Sequence, residues 1–554
     1  MRRANAADAL ASLARIARRY ETGLGARKLA LLHRLSRAKL KSARQVLRLH
    51  ELLCFLDAYP DDRRIRSLVR RMLKNFRRRS DLRRHHVALA GSGIAGTDTP
   101  YRFFWPTAQW ISARWPGALV LDRDDEEATR ELLAALPSLL DPAQAEWLAN
   151  RHSKDLEPVD RLAPAGMTDA DFVNGLIAGM PGDEFSREAF GDRLDLSYVL
   201  RAGRDTPERT TARFDRGDVH HQAAALLRGY PDLRVEAARK PLSIRRLRGA
   251  GALAAIRLAR ISMITRERDL AAFQFANPGD VLLVDDGCGL AFAVMGVMPA
   301  RRATLTTAYT ALILKNGVPI GYIQADLLGR HGALSFNTFE SFRRAEAAWV
   351  FARFIAAARE LFGCADFSVE PYQLGIGNEE GIQSGAWWFY RRFGFRPRAS
   401  KARRIAAREI ARRAVNPHYR SSPATLRALA RFHVFFSLDR ERQARLPRTD
   451  YWLARSTRAL RRFRQADPAD RRAAAAAAAL RRLGAPARGR INANLRAMLD
   501  RWAGLVLSLT ASGRWTATER RQLLTLITQK AGRSELLFHR QLMGHATLRR
   551  LLDC

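Results

Sequence analysis

Three groups of residues in this chain have types and spacings that could do chemistry. The first is the glycine pattern GSGIAG, residues 91–96, with Asp122 about 26 residues further on. A dinucleotide fingerprint needs such glycines to turn straight into a helix whose first amides hold a pyrophosphate. Thr97, Asp98, Thr99 and Pro100 follow instead, so the expectation is a glycine-rich loop leading into the aromatic segment of Phe103, Phe104, Trp105 and Trp110. The second is the pair His220 and His221 at the start of HHQAAALL. An HHxxxDG acyl-transfer signature requires an aspartate and a glycine that are absent, so the pair is expected to open a helix without a catalytic role. The third is a set of polar and ionisable side chains between residues 305 and 398: Glu340, Arg343, Arg344, Glu370, Asn378, Glu379 and Tyr390. Carboxylates take protons, a phenol gives one, and arginines hold phosphates. Cys54, Cys288, Cys364 and Cys554 lie far apart with no CxxC pair, so neither a zinc site nor a disulfide framework is expected.

The third group sits where the hydrophobic period changes. TLTTAYTALILKNG and VPIGYIQADLLG read as two strands around a turn at Lys315, Asn316 and Gly317. ALSFNTF, residues 333–339, reads as a third. In the following RRAEAAWVFARFIAAARELFG, Ala347, Val350, Phe351, Phe354, Ile355, Ala358 and Leu361 share one helical face, and Gly363 stops the helix. CADFSVEPYQL gives another strand, GAWWFYRRF a second helix, and Phe395 begins a last strand. A helix start offers unpaired amides and a partial positive charge, so a phosphate can bind there, with Arg343 and Arg344 adding charge.

This order, and above all QSGAWWFYRRFGF at residues 383–395, resembles the GNAT acyltransferase superfamily. The match to the pattern NxxAxxxYxxxGF falls on Ala386, Tyr390, Gly394 and Phe395, with Gln383 in place of the asparagine. The resemblance covers roughly residues 305–398, about a sixth of the chain. It implies a central α/β (α+β) acyl-CoA N-acyltransferase-like domain in which acetyl-CoA or another acyl-CoA lies across the sheet. Phe339, Arg343, Arg344, Ala345, Ala347, Gln383 and Ala386 would then contact the cofactor. In the family's (Q/R)xxGx(G/A) loop, Phe342, Ala345 and Ala347 stand at the three fixed positions. Tyr390 would be the general acid, Glu340 or Glu370 the base, and Asn378, Glu379 and Glu380 in the loop GNEEG would meet the substrate. The implied activity is acyl transfer to an amine without a metal. The alternatives are an aminoacyl-tRNA-dependent transferase of the same fold and a non-catalytic scaffold that binds nucleic acid or another anionic partner. The tRNA reading predicts a second module, for which DVLLVDDGCGLAFAVMGV is the candidate strand pair.

The remainder of the 554 residues reads as mainly α-helical. Residues 1–90 form a basic helical region, in which Val46, Leu49, Leu52, Leu53 and Leu56 recur at helical spacing. Residues 91–240 are mixed and mainly helical, 241–400 hold the acyltransferase-like domain, and 401–554 form an arginine- and alanine-rich helical region. The formal charge of +40 would ordinarily point to a polyanionic partner, tRNA or other RNA, DNA or an anionic membrane surface, but codon bias is the favoured reading. Arginine and alanine together are also what GC-rich codon usage produces. No apolar run reaches membrane-spanning length and no secretory signal pattern opens the chain, so a cytoplasmic location is expected.

Overall fold

The computed structural model describes residues 5–552 apart from 150, 152, 154, 216, 344, 442–443, 485–491 and 513–514. The chain forms two compact units: Met1–Ala225 with Arg257–Gln274 and Asn316–Pro319, and Leu226–Ile256 with Phe275–Lys315 and Ile320–Cys554. It is a mixed α/β protein with one three-stranded and one nine-stranded sheet.

The first unit begins with helices Ala6–Ile16, Leu24–Arg37, Ala43–Ala58 and Arg63–Lys74. Asn5, Ser42 and Asp62 cap three of them by accepting a first-turn amide. The apolar stripe expected from the sequence is buried at Val46, Leu49, Leu52, Leu53 and Leu56. Strands β1 (Thr99–Tyr101), β2 (Leu119–Leu121) and β3 (Tyr198–Leu200) form a small antiparallel sheet in the order β1-β3-β2. The GSGIAG segment is a loop, and the next helix starts only at Trp105. Gly93 has φ 65°, and a β-carbon there would stand 2.1 Å from the Thr265 carbonyl oxygen. Close backbone approach therefore accounts for this glycine. The expected helix after His220 and His221 does not form. The His220 amide donates to Asn316 Oδ1 and the Gln222 amide to the Pro60 carbonyl, so these backbone groups are committed elsewhere.

In the second unit, β4 (Ser243–Leu247), β5 (Ala276–Gly287), β6 (Leu290–Val297), β7 (Thr307–Lys315), β8 (Val318–Leu328), β9 (His331–Thr338), β10 (Asp366–Val369), β11 (Arg396–Pro397) and β12 (Val434–Ser437) pair in the order β11-β12-β10-β9-β8-β7-β6-β5-β4. The β7–β8 turn has Asn316 at φ 49° and Gly317 at φ 81°, the left-handed pair that a two-residue hairpin requires. DVLLVDDGCGLAFAVMGV forms β5 and β6 of this same sheet. Strand β12 interrupts the mainly helical stretch 401–554. It inserts between β10 and β11, antiparallel to both, while β9 and β10 run parallel.

The central helix, Ala347–Phe362, packs Phe351 against Phe336 of β9 and Phe354 against Phe292 of β6. Gly363 ends it at φ 67°. It is enclosed on most sides, and its one buried arginine, Arg353, is held by Asp286 Oδ2 at 2.7 Å and Glu236 Oε2 at 3.2 Å.

The C-terminal helices gather around Trp502, Val506, Leu523, Ile527 and Phe538 and take Leu328 of β8 into the same cluster. A buried polar network fastens them to the sheet. The Arg302 guanidinium donates to the carbonyls of Val297, Lys530 and Gly532. Asp280 accepts from the Tyr309 hydroxyl at 2.7 Å and the Ser534 hydroxyl at 2.6 Å, and Lys530 pairs with Glu535. No helix among the described residues is long and apolar enough to cross a membrane.

Candidate active site

The site is a consequence of strand pairing that stops early. Asp366, Phe367 and Ser368 of β10 face His331, Gly332 and Ala333 of β9, and there the parallel ladder ends. Strand β9 continues beside β8 as far as Thr338, opposite Gly321. The last residues of β9 therefore present one edge that β10 does not cover, and Phe336, Asn337 and Thr338 line a cavity of about 450 Å³ there. Asn337 Oδ1 is buried with no hydrogen-bond partner among the described residues. An unpaired carboxamide oxygen in a cavity wall is a ready acceptor for a ligand N–H.

Of the residues singled out from the sequence, Arg343, Ala347, Asn378, Glu380, Gln383, Ala386 and Tyr390 line this cavity. Tyr390 lies on the helix Ala386–Arg392 and is only 2% exposed. Its ring meets Phe351 and Phe395 edge-on, and the Phe336 backbone amide faces its hydroxyl. Burial pushes the phenol well above its ordinary range, so it carries its proton at every physiological pH. Asn378 caps the helix Glu379–Ser384 by accepting the Gly381 amide at 3.1 Å and donates to the Tyr372 carbonyl. Arg343 donates to the Thr338 carbonyl at 3.3 Å and pairs with Glu380, a further wall residue.

Other expected site residues lie elsewhere. Phe339 and Ala345 are buried outside the cavity wall, because the loop between β9 and the central helix bonds to itself. The Phe342 amide donates to the Phe339 carbonyl and the Ala345 amide to the Phe342 carbonyl, so those amides do not form a phosphate cradle. The amides at the start of the central helix have no partner within it, as at any helix start, and Ala347 places that end in the cavity wall. Glu340 and Glu370 are exposed and do not line the cavity. Glu340 opens the 3-10 turn Glu340–Phe342, and Glu370 precedes the short helix Pro371–Leu374. Glu379 points to Arg427 at 2.9 Å. Arg344 lies outside the described residues.

Sequence reasoning missed Asn337, Thr338, Gln373 and Ser384 as wall residues. Their proximity follows from where the β9–β10 ladder ends, which no local pattern encodes. Among the described residues, no cluster of His, Cys, Asp and Glu is placed to hold a metal ion.

Searches of protein-family models, curated proteins and solved structures found no match to this chain.

Proposed function

We propose that the second unit transfers an acyl group from an acyl-CoA thioester to an amine in the cavity beside β9. The observation that carries this reading is the gap between parallel strands β9 and β10, with Tyr390 in its wall and the central helix starting at its rim. A GNAT-like arrangement of the sheet is part of the proposal. The order β9, central helix, β10, Tyr390 helix, β11 and β12 supports it, as does QSGAWWFYRRFGF.

In this reading the amine attacks the thioester carbonyl, a C–N bond forms and the C–S bond breaks. The departing thiolate takes a proton from Tyr390, whose burial keeps it protonated until that step. Arg343 and the start of the central helix meet the pyrophosphate. Glu380, the one carboxylate in the cavity wall among the described residues, accepts the amine proton in this reading.

A second reading, a non-catalytic scaffold of the same fold, draws on the near-complete burial of Tyr390 and the self-bonded loop from Phe339 to Ala345. Calorimetric titration with acetyl-CoA and longer acyl-CoAs separates the two. Saturable binding that Arg343→Ala weakens, while any ATP binding is unchanged by that substitution, supports the acyltransferase. No binding, or binding that ATP matches and Arg343→Ala leaves unchanged, rejects it in favour of the scaffold.

A further inference from the structure

A second cavity of about 700 Å³ lies where β11 and β12 meet the helix Ser400–Val415. Six arginines converge on it from separate stretches of chain: Arg234, Arg391, Arg396, Arg398, Arg403 and Arg440. Among the described residues, Asp439 is the only carboxylate in its wall. Arg234 is already engaged, donating to the Ser437 carbonyl at 2.7 Å and lying 4.7 Å above the Phe436 ring. Among the described residues, the other five have no carboxylate within ion-pair distance.

Elsewhere in this unit arginines drawn out of water are compensated, as Arg353 is by two carboxylates and Arg302 by four carbonyls and Glu535. Here the excess charge stands open. Burial, reinforced by the charge of Arg396, lowers the affinity of Arg391 for its proton, and burial with Arg445 does the same to Arg398. Gathering like charges on a concave wall is unfavourable without an anion between them. GC-rich codon usage explains how many arginines the chain has. It does not explain why they converge on one hollow.

The rest of the wall is apolar apart from Ser437, with Pro397, Ile410 and Phe435 among its residues. Phe435 is half-buried and already carries the Arg398 guanidinium 5.1 Å from its ring centroid. A flat ring system stacks on such a guanidinium or on the phenyl face beneath it. The volume falls in the range of sites that enclose a small molecule. Planar, forked guanidiniums converging from several directions suit linked phosphates better than a single carboxylate.

We propose that this arginine-lined cavity binds a ligand of the nucleoside-diphosphate class, with its linked phosphates on the arginines and its base against the Phe435 shelf. The inference does not depend on acyl transfer in the first cavity.

The test is calorimetry of the full chain with ADP, AMP and inorganic pyrophosphate at near-physiological salt. Three variants are compared: Arg396→Glu/Arg403→Glu, Arg343→Ala, and Arg83→Glu/Arg84→Glu, which makes the same charge change on exposed residues of the first unit. ADP is expected to bind at one saturable site, more tightly than AMP or pyrophosphate. Arg396→Glu/Arg403→Glu should weaken it by at least roughly tenfold, while the other two variants leave it within about twofold. Arg440→Ala, at an exposed position, should weaken it as well and covers the case in which the double variant does not fold. The proposal is overturned by an absence of saturable ADP binding, by ADP binding no tighter than AMP or pyrophosphate, or by equal losses in the two double variants. It is also overturned if Arg343→Ala, and not the cavity variants, removes ADP binding.

Discussion

The ammonium of Lys315 sits 3.1 Å from the carboxylate of Glu346, with side chains only 2% and 3% exposed. Glu346 also accepts the Leu227 amide at 3.1 Å. The end of β7 is thereby tied to the residue just before the central helix, which fixes the helix start that frames the cavity. Losing one partner of such a buried pair leaves an uncompensated charge. Glu346→Ala should destabilise the protein by about 3–5 kcal/mol, read as a lower denaturation midpoint. Lys315→Met combined with Glu346→Leu should recover most of that loss, because no charge then remains buried.

Tyr390 gives a kinetic prediction that rests on the proposed acyl transfer. Tyr390→Phe keeps the ring packed against Phe351 and Phe395 and removes only the hydroxyl. The rate of acyl transfer should fall by roughly 10²–10⁴-fold, while acyl-CoA affinity by calorimetry stays near that of the parent. A parallel loss of affinity would assign the hydroxyl to ligand binding instead.

Asp326 on β8 gives a pH prediction. Burial raises its carboxyl from 3.8 to about 6 against the opposing hydrogen bond from Gln324, and the Glu370 charge adds to the rise. Folding therefore favours the protonated form. The resulting stability is fully present below about pH 4 and is lost as pH rises through about 6. Asp326→Asn should raise stability at pH 8 by at most about 3 kcal/mol and leave it nearly unchanged at pH 4. Chemical denaturation at the two pH values reads the difference directly.

Gly93→Ala tests the reading of the glycine loop as a packing element. The φ of 65° disfavours alanine, and the added carbon meets the Thr265 carbonyl at 2.1 Å. The first unit should lose well over about 1 kcal/mol, seen as a lowered Tm or early protease cutting near residue 93.

Much of the sheet around the first cavity was legible because it is local. Alternation and the Asn316–Gly317 turn give β7 and β8, and the helical period closed by Gly363 gives Ala347–Phe362. Strand β12 was not legible. HVFF is a short apolar run in an arginine-rich helical setting, and its partner Val369 is about 65 residues upstream of Val434. The site was read in part for the same reason. Tyr390, Gln383 and Ala386 belong to one continuous motif, whereas Asn337 joins them only through the end of the β9–β10 ladder. Glu340 and Glu370 follow the ends of β9 and β10, where the chain turns to the surface, and both side chains are exposed.

The polar network beneath the C-terminal helices bears on how the protein is made. Asp280 emerges from the ribosome 254 residues before Ser534, the hydroxyl it accepts from. At about 5–20 residues per second, that interval is roughly 10–50 s. For most of it, Asp280 lacks the Ser534 hydroxyl and Arg302 lacks the Lys530 and Gly532 carbonyls, because those residues have not been synthesised. A nascent chain with an unfinished charged recess at its sheet is a substrate for chaperones, and a stop codon shortly before residue 530 leaves that recess permanently open.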